Sequence, residues 1–145
     1  MSFRVKNHLR IVTFVVALMA LIGIAVAGGQ LSDLGARRQT AHQMTAIVDS
    51  VMTRSDVTRV YCRAVGRPHT SQRIDSVYIT MPDGSSAGAD DIDPIYFRRG
   101  FQWEDDSDIA IELDFPPMPV KPERFRLTMI TPYGNVEAIY TGRKE

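Results

Sequence analysis

The chain has 145 residues, 44% of them hydrophobic and 23% charged, with 17 Lys and Arg set against 17 Asp and Glu. That composition belongs to one folded domain; it excludes a disordered or collagen-like chain, and one cysteine excludes a disulfide-stapled mini-protein. A net charge of zero argues against a nucleic-acid partner, since such affinity rests on neutralising phosphates with a basic surface.

The charge is unevenly spread. Residues 1–27 carry Arg4, Lys6 and Arg10 and no acid, which leaves 14 basic and 17 acidic residues, a charge of −3, from Gly28 onward. The three cations precede residues 11–24 (IVTFVVALMALIGI), where Thr13 is the one polar side chain, and Ala25-Val26-Ala27 follows. A positive start, an apolar stretch of this length and a small-x-small site predict a secretory signal peptide over residues 1–27. An uncleaved anchor is the alternative, because residues 11–29 hold no charge and approach the ~20 residues needed to cross a bilayer. Both readings export the remainder to the periplasm, the cell surface or the extracellular space. Membrane contact is then expected only through residues 11–29.

Residues 28–39, with three glycines, are expected to be a tether ahead of a single exported domain over residues 40–145. Thr40 and Gln43 have capping-box spacing. Met44, Ile47, Val48 and Val51 fit the i, i+3, i+4, i+7 template, which predicts an amphipathic helix over residues 41–53. From residue 57 the period becomes two. Strands are expected over residues 57–65, 76–81, 95–103, 109–115, 124–131 and 136–141, with turns at Pro82-Asp83-Gly84-Ser85 and at residues 131–135. Cys62 alternates with Val60 and Ala64, as a small core hydrophobe would. The expected core is Phe97, Phe101, Trp103, Ile109, Ile111, Leu113, Phe115, Phe125, Leu127 and Met129.

The fold class is therefore α+β or mainly β. The export segment and one helix lead into a six-stranded, mainly antiparallel sheet, arranged as a helix-on-sheet layer or a compact β-sandwich. Residues 85–94 (SSAGADDIDP) read as a loop. Residues 116–122 (PPMPVKP) read as an extended connection covering an edge, or as a polyproline ligand for a partner groove.

Two acidic loops, at residues 90–93 and 104–108, are the first candidates for chemistry. Calcium takes six to eight oxygen ligands, and Asp90, Asp91, Asp93, Asp105, Asp106 and Asp108 supply carboxylates, although neither loop has calcium-hand spacing. No other cofactor is expected. Of the histidines, His8 falls in the export segment and His42 on the expected helix, while His69 lies in a loop as an acid–base candidate with no nucleophile or orienting carboxylate identifiable beside it. No G-x-S-x-G, H-E-x-x-H, phosphate-binding glycine loop or paired-cysteine pattern occurs, so no catalytic residue is named. Alternation in residues 96–103 sends Phe97, Phe101 and Trp103 inward and leaves Tyr96, Arg98 and Gln102 as a candidate binding surface.

Export, small size and absent catalytic motifs point to a non-enzymatic envelope or secreted module that binds a protein partner or joins an assembly. The alternative is a ligand-binding β-domain for glycan or calcium. An apolar segment, a helix and then an antiparallel sheet is also similar in layout to pilins and pseudopilins. The leader ending in glycine and the glutamate five residues into the apolar stretch are missing.

Overall fold

The computed structural model describes residues 42–143. The export segment, the tether and Ala41, the first residue of the expected helix, lie outside the described residues. Ten strands follow in order: β1 (Met44–Thr53), β2 (Thr58–Gly66), β3 (Ser71–Arg73), β4 (Ser76–Thr80), β5 (Ser86–Gly88), β6 (Asp91–Asp93), β7 (Gly100–Gln102), β8 (Asp108–Phe115), β9 (Arg124–Thr131) and β10 (Gly134–Thr141). Every pairing is antiparallel. Two four-stranded sheets, ordered β1-β2-β8-β6 and β10-β9-β4-β5, are joined by the two-stranded β3-β7.

The described residues contain no helix, and residues 44–53 form β1 instead of the expected one. The cause is a bulge. Val48 pairs with Cys62 and Val51 with Val60, so that Asp49 and Ser50 together face Tyr61. The bulge shifts the alternation by one residue, and the inward positions become 44, 46, 48, 51 and 53. Met44, Val48 and Val51 consequently stand at i, i+4 and i+7, a helical spacing produced by a broken strand. Ile47, which a helix would bury with them, is 43% exposed.

The inward faces of both sheets meet in one apolar cluster. Val60, Cys62, Ile111, Leu113 and Phe115 come from the first sheet, and Val77, Ile79, Phe125, Leu127 and Met129 from the second. Alternation places them there, because strands of period two present every second side chain to one face. The cluster also takes in Ile74, Ile92 and Ile95, while Phe97, Phe101 and Ile109 are only partly buried.

Residues 85–94 are not a loop. The chain passes from one sheet to the other within two residues: the Ala89 N–H donates to the Val77 carbonyl, and the Asp90 N–H to the Asp114 carbonyl. Crossing between sheets through such a corner joins their edges without a long connection. The turn at Pro82–Ser85 forms as expected, with Gly84 at φ 87° and Asp83 accepting from both the backbone and the hydroxyl of Ser85.

Candidate functional site

The expected strand over residues 95–103 is mostly a turn, with only Gly100–Gln102 in a strand. Ile95 is buried and Phe97 partly so, and together they anchor the segment. Arg98 adopts φ 62°, a left-handed conformation that ends the extended path, and its N–H donates to the Ile74 carbonyl. The Arg99 N–H donates to the Tyr96 carbonyl and closes the turn. Two aromatics and two arginines, Tyr96 to Arg99, thus follow one another along a chain that is bending. Tyr96 is 64% exposed, and the Arg99 guanidinium carbon lies 5.1 Å from its ring centroid, within cation–π range. Tyr96 and Arg98 do share one exposed turn. Gln102 sits on β7, opposite Ser71.

The acidic residues lie along β6, β8 and the turn before β8 without converging on one point. Asp91 and Asp93 project from β6 on either side of the inward Ile92, which sets them roughly 7 Å apart along the strand. Asp105 and Asp106 occupy the turn before β8, and Asp108 begins that strand. Among the described residues no three His, Cys, Asp or Glu side chains gather as a metal would need. The six candidate calcium ligands are therefore not brought together.

Arginines on β2 take up part of the acidity. Arg59 donates from Nε and Nη2 to the two carboxylate oxygens of Asp114, at 2.6 and 2.9 Å, and reaches Glu112 at 3.2 Å. Arg63 holds Asp49 at 3.1 Å and lies 3.8 Å from Asp108. The Arg59 hydrogen bond is the main reason that the Asp114 carboxyl is held below its ordinary value, and Asp114 in turn raises the guanidinium. Opposite these carboxylates across the β6–β8 ladder stand more of the same sign, Asp91 facing Asp114 and Asp93 facing Glu112.

His69 adopts φ 62° and has a carboxylate beside it that sequence spacing alone does not reveal: Asp105 Oδ1 lies 2.9 Å from its Nε2. Both side chains are well exposed, so solvent screens the pair. His42 lies just before β1 rather than on a helix. Its Nδ1 is 2.6 Å from the Ser71 carbonyl, its ring stacks on Tyr133 at 4.0 Å, and Gln72 donates to its carbonyl. This contact joins the start of β1 to β3 and to the β9–β10 turn.

One further surface combines exposed apolar and charged side chains. An open groove of about 1780 Å³ runs between β1, the end of β10 and the proline-rich connection. Val120 is 76% exposed and Ile139 65% exposed within it, among Lys121, Arg124 and Arg143. The proline-rich connection is fastened by the Met118 N–H, which donates to the buried Thr58 hydroxyl, and this leaves Val120 projecting outward. Strand alternation in β10 turns Val136, Ala138 and Tyr140 toward the core and Ile139 away from it. Periodicity locates the outward position of Ile139; the proximity of Val120 arises only from the fold.

Comparison with protein-family models finds no match, and comparison with curated proteins finds none either.

Proposed function

We propose that this protein is an exported, non-enzymatic module of the cell envelope or the extracellular space, and that it works by binding other proteins. The observation that carries this reading is the exposure of Val120 and Ile139 in one groove, at 76% and 65%. Exposed apolar side chains set among charged ones in one depression fit a contact surface, where apolar and polar contacts combine. Export rests on the charge and hydropathy of residues 1–27, read as a signal peptide or as an anchor.

Affinity capture of the C-terminally tagged protein from its native envelope, under crosslinking, tests the reading. Recovery of a neighbouring protein whose yield falls with Ile139→Asp supports it, and recovery of the bait alone counts against it. Intact-mass measurement of the same material addresses export, since a chain starting at Gly28 removes the anchor.

The turn at Tyr96 favours a second reading, a glycan-binding β-domain. An exposed tyrosine beside Arg98 and Arg99 offers a ring for a sugar to stack on and donors for its hydroxyls. Glycan-array binding that disappears in Tyr96→Ala and Arg98→Ala supports that reading, and binding that persists in both removes it. Calcium has no place in either proposal, because its candidate ligands do not converge. The pilin-like layout loses its helix to β1.

A further inference from the structure

We propose that the groove between β1 and β10 receives the acidic β8–β6 edge of a second copy of this chain, so that the protein assembles head to tail. This rests on the protein-binding reading above and names the partner. The strand order β1-β2-β8-β6 places the two surfaces at opposite edges of one sheet: the groove borders β1, and the acidic strip lies on β8 and β6. A contact between opposite edges cannot be made within one molecule. It joins unlike patches of successive copies, which is the heterologous geometry of rings and filaments.

Charge decides the pairing. Lys121, Arg124 and Arg143 line the groove, and none of the three forms an ion pair among the described residues. Two acids also line it. Asp49 is already held by Arg63, which leaves Glu123 as the acid that opposes the cations. At the other edge, Arg59 and Arg63 occupy Asp114, Glu112 and Asp108, while Asp91, Asp93, Glu104 and Asp106 have no basic partner among the described residues. Asp91 faces Asp114 and Asp93 faces Glu112, and like charges directly opposite on a ladder destabilise the isolated sheet. Arg59 already offsets that repulsion on the β8 side, and a cationic neighbour would meet Asp91 and Asp93. The acidic edge also has an apolar component to meet Val120 and Ile139, since Pro94, Ile109 and Ala110 share a shallow depression with the carboxylates of residues 104–108.

Sedimentation velocity on the full chain in a non-ionic detergent tests the proposal at about 0.01 M and about 1 M salt, where the screening length falls from ~30 to ~3 Å. The chain is expected to self-associate at low salt, with the association constant falling roughly tenfold or more at high salt. A groove variant, Lys121→Glu with Arg124→Glu, and an edge variant, Asp91→Lys with Asp93→Lys, are each expected to be monomeric. Mixed together they should associate again, because the groove variant's intact edge meets the edge variant's intact groove and the two reversed surfaces also complement each other.

Carbodiimide crosslinking of the unmutated chain gives a reading that does not depend on the variants folding. Lys121 is expected to join Asp91, Asp93, Glu104 or Asp106 of another copy. A wild-type monomer at low salt, a mixture that stays monomeric, or the absence of those crosslinks overturns the proposal. So does a groove that binds phosphatidylglycerol vesicles in place of a second copy. If self-association fails but envelope capture still recovers a different protein through Ile139, the protein-binding reading stands and only the identity of the partner is wrong.

Discussion

The indole of Trp103 lies so close to Gly66 that a Cβ on the glycine would overlap Cε2 and Nε1 and stand 2.5 Å from Cζ2. Trp103 is fully buried and its backbone is fixed at both ends, its N–H donating to the Thr70 carbonyl and its carbonyl accepting from the His69 N–H. The ring therefore has no room to withdraw. Gly66→Ala is expected to cost about 3 kcal/mol or more, at or above the upper end for overpacking a closed site. Trp103 is the one tryptophan in the chain, so its fluorescence reports the change directly. A lowered urea midpoint with a red-shifted native spectrum is expected, and an unchanged midpoint would refute the contact.

β1 supplies a second test, because strand and helix give opposite answers at Ile47. The bulged strand leaves Ile47 43% exposed and buries Val51 to 4% exposure. Ile47→Asp is expected to stay within about 0.5 kcal/mol of the parent, as exposed substitutions do. Val51→Asp buries an unpaired carboxylate and is expected to cost ~4 kcal/mol or more, enough to unfold many domains of this size. Chemical denaturation of the two variants separates the cases. Comparable losses at both positions would restore the helical assignment.

The same element shows how much of the architecture was legible in the sequence. Strands with unbroken alternation were readable: β2, β4, β8, β9 and β10 fall within a few residues of where period two puts them. β1 was not, because its bulge turns one step of two into a step of three, so that 44, 48 and 51 take a helical spacing. β6 was missed because Ile92 is the only inward side chain in a three-residue strand, too little for any period to register. Among candidate sites, exposure of Tyr96 and Arg98 followed from local pattern, even though the expected strand there is a turn. The proximity of Val120 to Ile139 and of His69 to Asp105 depends on long-range pairing, and no spacing encodes it.

Cys62 is 2% exposed, and burial, with a smaller contribution from the Asp49 charge, pushes its thiol up to about 12. Since the thiolate is the reactive form, the folded protein is expected to resist alkylation at neutral pH and to react fully in denaturant. The native labelling rate then measures opening of the core. Cys62→Ser is expected to cost ~1–3 kcal/mol by leaving a hydroxyl in an apolar site, whereas Cys62→Ala should cost less. Rapid labelling of the native protein, with circular dichroism unchanged, would show that the cysteine is accessible.

The Arg59–Asp114 pair gives a pH dependence of definite sign. Asp114 has a folded-state pKa below its ordinary value of 3.8, first because of the hydrogen bond from Arg59. In the acid range the unfolded chain therefore binds more protons at this site than the folded one, and stability rises with pH there. The contribution is fully present above the ordinary value and is lost as pH falls through the depressed folded value. Asp83, held low by Ser85, titrates in the same direction, so the total slope does not isolate one residue. The difference between wild type and Asp114→Asn does. The variant is expected to be less stable at neutral pH, with the gap closing as pH drops below the usual carboxylate range. Urea midpoints measured across that range check this, and a gap that stays constant down to the lowest pH would show that Asp114 contributes through shape rather than charge.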